Sequence, residues 1–452
     1  MAATDRQQYY LFEVTDFNCR SMSKLIPARH KDRTQYVAVN SMLFTARGDS
    51  GAEIDWVTEE GLVNGPLVPD WGTMKKLPWF STPEAEVWSV LCEQRRLIDG
   101  YPDEKLLEVI PRTLCKQMLA TLRQATSDEY HLYVGGELEF YMSSSSEGEG
   151  RFVPMNSRGS MSSTPKFLKA KDFVFDLDKQ MQSVGVDITA MHHEFGGGQL
   201  EVTFAPSFGI EAMDKAQRFR SGTKEIAQAH GFRATFMTTP FADISSGGHF
   251  NFSLWSGSKK ERNAFFDEES PMGLSAMGCH FLAGVLKHLP GIEAFCSPTP
   301  ACYKRHGVWA PTLCNWGIED RLAAVRVKSH QKSDQEHCYM ELRTVSAAAN
   351  PYLVASAVIA AGLHGLIGRL DLPPPRQSKE QSALELPSSL PKAIEALLAD
   401  DVIVESLGKE FVRWFIAVKS KEMDEINKIL DGTDRQEADY LQAWRHMYFD
   451  EL

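Results

Sequence analysis

The chain holds 452 residues, 43% hydrophobic and 24% charged, the balance of an ordinary globular protein too long for one core, so two domains are expected. A net charge of −12 argues against a nucleic-acid surface and fits a self-repelling protein that binds metals or small metabolites. The chain has no apolar run of membrane-spanning length, no basic-then-apolar leader in MAATDRQQYY, and eight scattered cysteines without a C-x-x-C; reduced thiols, no membrane span and a cytoplasmic setting are expected.

Short apolar strands are expected over 8–45, for example Tyr36-Val37-Ala38-Val39. The stretch 64–79, rich in proline and glycine, reads as extended loop. An amphipathic helix over 104–125, interrupted at Pro111, puts the domain boundary near residue 103, giving units 1–103 and 104–452. A strand over 131–142 and a polar loop SSSSEGEG come next, then helices near 174–186 and 210–230. Strands near 232–239 and 248–255 precede Ala- and Leu-rich helices near 274–289 and 352–369. An exposed loop, 371–380, leads into a helical region over 390–430. Strands mixed with helices, without regular βαβ spacing, make the class α+β.

Glu137 and Glu139 lie two apart in Gly136-Glu137-Leu138-Glu139-Phe140, so on a strand they share a face while Leu138 and Phe140 point the other way. Adjacent like charges in a half-buried sheet are destabilising unless a cation sits between them. Three further segments repeat the theme. His192-His193-Glu194-Phe195 runs through a glycine turn to Glu201; His249, Asn251 and Ser253 alternate with Phe250, Phe252 and Leu254; and Glu341 precedes Arg343. Oxygen-rich donors with one imidazole suit two divalent cations, magnesium or manganese. Taken singly, each strand reads more readily as an amphipathic edge with one wet face, and His249 as a hydrogen-bonded core histidine. It is their ordered coincidence that favours metals, although spacing alone does not show that they converge.

Together these segments resemble glutamine synthetase of the bacterial (class I) type. The resemblance covers nearly the whole chain: PDWGTMKKLPW, GELEF, HHEFGGGQLEV, RATFMTTP, SGGHFNFSL, CYKR, WGIEDRLAAVRV and ELR followed by AANPYL. It implies a small N-terminal β-grasp domain and a catalytic domain whose antiparallel strands form a funnel flanked by helices. It also implies a double-ring dodecamer with active sites between subunits, ATP and two Mg2+ or Mn2+ ions per site, and small-molecule substrates drawn from nitrogen metabolism. By motif, Glu139, Glu194 and Glu201 would hold the first metal, and Glu137, His249 and Glu341 the second, beside the nucleotide phosphates. Arg305, Arg321 and Arg343 would contact the glutamate carboxylate and the phosphoryl group in flight. Arg326 matches a nucleotide-side arginine and Ser253 a position near adenine.

The departures fall on the substrate and ammonia side. Ile244-Ser245 stands where the family has asparagine-glycine for the amino-acid substrate. The flap His306-Gly307-Val308-Trp309-Ala310-Pro311 is two residues shorter than the family's and carries Trp309 where a glutamate helps deprotonate ammonium. No D-G-S-S occurs around residues 40–55, Asn251 replaces a second histidine, Thr344-Val345-Ser346 replaces F-P-D, and Leu384 replaces the tyrosine that some bacterial members adenylylate. Two readings follow. One is an ATP-dependent γ-glutamyl ligase with a changed amine acceptor, Trp309 packing against an organic amine. The other is a member of the lengsin branch, a non-catalytic oligomer associated with intermediate-filament proteins, in which retained acids keep metals for stability.

Overall fold

A computed structural model describes residues 6–59, 63–98, 101–127, 129–144, 153–241, 244–270, 272–329, 335–376 and 383–452. Most of the polar loop expected at 143–150, and the end of the exposed loop at 371–380, lie outside the described residues.

The N-terminal sheet contains β1 (Gln7–Thr15), β2 (Ser21–Pro27), β3 (Tyr36–Ala38), β4 (Asn64–Pro69), β5 (Lys75–Lys76), β6 (Ala85–Ile98) and β7 (Tyr101–Leu106). Its order is β2-β1-β6-β4-β3, with β5 and β7 also paired to β6. The parallel β1–β6 pair beside the β1–β2 hairpin gives the small β-grasp unit. The stretch expected to be loop at 64–79 is extended but partly paired: β4 lies between β6 and β3, and only its continuation breaks into short turns.

Pro111 does not interrupt a helix; it begins one. The helix runs Pro111–Ala125, and proline is well placed in a first turn because that N–H has no helical partner. The residues before it form β7, whose partner is β6.

The second sheet contains β8 (His131–Ser144), β9 (Val153–Pro154), β10 (Ile188–His193), β11 (Gln199–Phe208), β12 (Phe232–Thr235), β13 (Phe250–Ser256), β14 (Arg262–Asn263), β15 (Trp316–Ile318), β16 (Val325–Lys328) and β17 (Tyr339–Leu342). The order is β10-β11-β8-β13-β17-β16-β15, and β8 also pairs β9 and β12. All pairs are antiparallel except β15–β16. Helices Lys171–Ser183, Ile210–Ala229, Ala276–Cys296 and Pro351–Gly368 cover its apolar side. Pro351–Gly368 is long and apolar enough to cross a membrane, yet most of it is buried inside the protein as a core helix. The region 390–430 forms three helices, and a further one, Glu437–Tyr448, was not expected. A reciprocal cap between Gln436 and Asp439 starts it.

Two buried polar clusters tie the N-terminal unit to the rest. Arg112 binds Asp214 at 2.9 Å, Asp70 at 2.9 Å and Glu93 at 3.4 Å. Glu422 accepts from Asn18 at 2.7 Å, the Ala46 amide at 2.9 Å, Lys419 at 3.0 Å and Tyr448 at 3.1 Å.

Candidate active site

Register brings the acids together. On β8, Glu137 and Glu139 face one way, while Phe140 is fully buried in the core on the other. Glu201 of β11 lies opposite Glu139, and His192 of β10 opposite Glu201. On the other flank, Asn251 of β13 lies between Gly135 of β8 and Glu341 of β17, and Arg326 of β16 lies opposite Glu341. Residues directly opposite share a face about 5 Å apart, so a row of polar side chains crosses the sheet. This row floors a cavity of about 840 Å3.

Two glycines make the geometry possible. A Cβ at Gly247 would lie 2.8 Å from Glu139 Oε1 and 3.0 Å from both Arg305 Nη2 and His249 Nε2. A Cβ at Gly136 would overlap the Phe204 ring at 1.9 Å. A side chain at Gly136 would have to displace the Phe204 ring, and one at Gly247 the ends of the Glu139, Arg305 and His249 side chains.

Two donor groups result, each with its ligand atoms within 4.8 Å of one another. Glu137, His249 and Glu341 form the first: His249 Nδ1 is 2.7 Å from Glu137 and 3.3 Å from Glu341, and Asn251 donates to Glu137 at 2.9 Å. Burial pushes the Glu137 carboxyl up, but His249, Asn251 and Arg343 outweigh it and bring it down to about 2. His249, although buried, is raised by the Glu137 and Glu341 carboxylates. The second group is His192, Glu194 and Glu201, with His192 Nε2 3.1 Å from Glu201 and Nδ1 3.5 Å from Glu194. The hydrogen bond to Glu201 raises His192 to about 9.

Glu139, expected beside Glu194 and Glu201, adjoins this group without being one of its members. Its Oε2 accepts from Gln199 at 2.7 Å, and its amide donates to Gly247 at 3.0 Å. Burial, reinforced by Glu201, pushes its carboxyl up to about 7 against the pull of His249 and Arg305. A buried acid cluster with imidazoles and no thiolate is the donor set of a hard divalent cation, so magnesium or manganese fits.

The arginines line the same cavity. Arg305 is 2% exposed and donates to the Thr344 carbonyl at 3.2 Å and the Val345 carbonyl at 2.9 Å. Arg343 donates to Glu341, and Arg326 bridges Glu341 at 3.2 Å and Glu319 at 2.7 Å. Arg321 is exposed at the rim, on the loop between β15 and β16. Ser253 is not brought in: it is buried, accepts from the Trp255 indole at 2.9 Å and does not line the cavity. Sequence reasoning assigned no role to His192, Gln199 or Arg376, although all three line it. Arg376 donates to Asp320 at 2.8 Å. The HHE run was a signal for His192; nothing local marks Arg376. Ile244, which also lines the cavity, is buried and offers only its carbonyl, to Tyr141 at 2.8 Å.

A model of the glutamine synthetase catalytic domain matches residues 108–437. The glutamine synthetase of Thermotoga maritima is 30% identical over 450 residues, covering 90% of this chain and 96% of that protein. The glutamine synthetase of Staphylococcus aureus is 32% identical over 371 residues, covering 79% and 80%. Among solved structures, a novel glutamine synthase homolog superposes with a TM-score of 0.81 over 99% of this chain and 100% of the other, at 22% identity, which speaks to the fold. GmaS solved without ligand gives 0.79 at 25% identity, over 95% and 96%. With acids, imidazoles and arginines converging on one funnel, and with both sequence and fold matched across most of its length, the chain belongs to the glutamine synthetase family.

Proposed function

We propose that the protein is an ATP-dependent ligase that joins the γ-carboxylate of glutamate to an amine through an acyl phosphate, acting in the cytoplasm as a ring-shaped dodecamer. The observation that carries this reading is the convergence of two cation-fitting groups and five arginines on one cavity. Magnesium or manganese held by Glu137, His249 and Glu341, and by Glu194 and Glu201 with Glu139 or His192, would neutralise phosphate charge when bound. A carboxylate oxygen attacks the γ-phosphorus of ATP; the new P–O bond forms as the bridging bond to ADP breaks. Arg305, Arg321 and Arg343 balance the charge on the transferring oxygens, and Arg326 holds the nucleotide side. Buried Arg305, fixed by two backbone carbonyls, is preorganised for this and need not move. The GmaS structures, one of them an ADP complex, come from a gamma-glutamylmethylamide synthetase and support an amine acceptor.

The test is γ-glutamyl hydroxamate formation from glutamate, ATP and hydroxylamine with magnesium or manganese. Hydroxylamine is already neutral near pH 7, so it needs no deprotonating group. A glutamate-dependent signal that Glu341→Ala abolishes is expected; silence from assembled, metal-loaded protein would sink the reading. A second reading, a lengsin-like assembly on intermediate-filament proteins without turnover, draws support from Ile244, whose side chain offers an amino-acid substrate no hydrogen bond. It requires Glu341→Ala to assemble and bind filaments like the parent.

A further inference from the structure

The cavity has a charged end and an apolar end, and one turn joins them. Glu194 leaves β10 as part of the second donor group, and the next residue, Phe195, turns its ring to the cavity. The Phe195 amide donates to Glu194 Oε2 at 3.2 Å, so the aromatic face and the carboxylate are set by the same backbone. Across from it stands Trp309, with ring centroids 5.8 Å apart and planes tilted by 36°. The loop that carries Trp309 is wound round one atom: the amides of Val308, Trp309 and Ala310 all donate to the Arg305 carbonyl, at 3.1, 2.8 and 2.9 Å. Trp309 is therefore anchored to a buried arginine of the same site. Yet each ring is 38% exposed, Val308 is 71% exposed and Met161 49% exposed, and all four line the cavity. The segment 306–313, HGVWAPTL, has no acidic residue with which to hold a bare ammonium ion.

Resting on the ligase reading above, we infer that Phe195 and Trp309 form the wall of the acceptor subsite and select a primary amine bearing an alkyl or aryl group. The head of such an amine lies beside Glu194, next to the metal that this carboxylate would share, and its apolar substituent covers the two rings. Ammonium has no apolar substituent to bury against either face. The amine first loses one proton, and its nitrogen lone pair then attacks the acyl carbon of γ-glutamyl phosphate. A C–N bond forms, and the C–O bond to phosphate breaks with its electron pair leaving on phosphate. The nitrogen's second proton is lost, and of the two protons one ends on phosphate and one in solution.

The experiment compares kcat/KM for ammonium, methylamine, butylamine and benzylamine with glutamate and ATP, alongside the hydroxylamine assay. Benzylamine is expected to exceed methylamine by at least about tenfold, since apolar groups in such pockets are worth that much each. Trp309→Ala and Phe195→Ala should each bring the benzylamine-to-methylamine ratio down by about tenfold, the loss falling on KM, while Trp309→Phe keeps most of it. Hydroxamate formation with ammonium or methylamine used as well as benzylamine would overturn this inference and leave the ligase reading standing. The same holds if benzylamine is preferred but the ratio survives both alanine variants. No hydroxamate at all would overturn both.

Discussion

Glu293, wholly buried in the helix Ala276–Cys296, holds its Oε1 3.2 Å from Nε2 of His306, the residue at which the loop carrying Trp309 begins. Neither carboxylate oxygen makes a well-directed hydrogen bond, so this imidazole is the nearest compensation the acid has. Removing one partner of such a pair leaves the other stranded. Glu293→Leu should therefore lower stability by about 3 kcal/mol, whereas Glu293→Leu with His306→Leu should return to within about 1 kcal/mol of the parent. Denaturant unfolding of the three proteins decides it; a double variant no better than the single would mean that the pair is not coupled.

Bound cations should stabilise the fold. The Glu137 carboxylate contacts both His249 and Asn251, so Glu137→Ala dismantles one donor group. Manganese at about 100 times its dissociation constant should add about 2.7 kcal/mol to the parent, reversed by a chelator. In Glu137→Ala that increment should shrink measurably in calorimetry. An equal rise in both proteins would show that the ion binds elsewhere.

At the junction between units, Lys419 and Glu422 are both fully buried and 3.0 Å apart. Lys419→Met leaves Glu422 with Asn18, the Ala46 amide and Tyr448 as donors, so its cost should be near 3 kcal/mol. Glu422→Ala leaves the lysine only the Asn18 side-chain oxygen, 2.5 Å away, strands all three donors, and should cost more. Comparison of the two thermal midpoints tests the order; a milder Glu422→Ala would contradict the arrangement.

The thiols should be slow. Burial pushes Cys92, Cys115, Cys314 and Cys338 up to about 12, and Cys296 is likewise raised well above the usual thiol range. The thiolate is the reactive form, and at pH 8 a group at about 12 is almost wholly protonated. Cys279, only partly buried, should react first with an aromatic disulfide reagent, and the others only on unfolding. Rapid reaction of several thiols in the native protein would go against the packing described.

The strand faces were legible because a period of two is a local property. Glu137 with Glu139, and His249 with Asn251, could be read off as pairs. Which strand lies beside which is not local, so nothing in the sequence set Glu201 opposite Glu139 or drew His192 into the second group. Pro111 was read as a breaker because the polar residues before it scan equally well as helix, and only pairing with β6 makes them strand. Glu293 passed unnoticed as the single acid of an apolar helix, since its partner comes from a loop. Ser253 alternates correctly with its neighbours, but the Trp255 indole and burial keep it from the cavity. The helix Glu437–Tyr448 owes its place to contacts of Trp444, Met447 and Tyr448 with distant residues rather than to a clear stripe.

β8 lies between the two halves of the site: it carries Glu137 and Glu139, flanks β11 on one side and β13 on the other, and its alternate residues build the core. A one-residue insertion between Gly136 and Glu137 would turn Leu138 and Phe140 into the cavity and both glutamates into the hydrophobic interior. One such insertion would therefore take Glu137 out of the first donor group and Glu139 from beside the second. A substitution in this strand acts on one side chain, whereas a change of register acts on the cavity and the core at once.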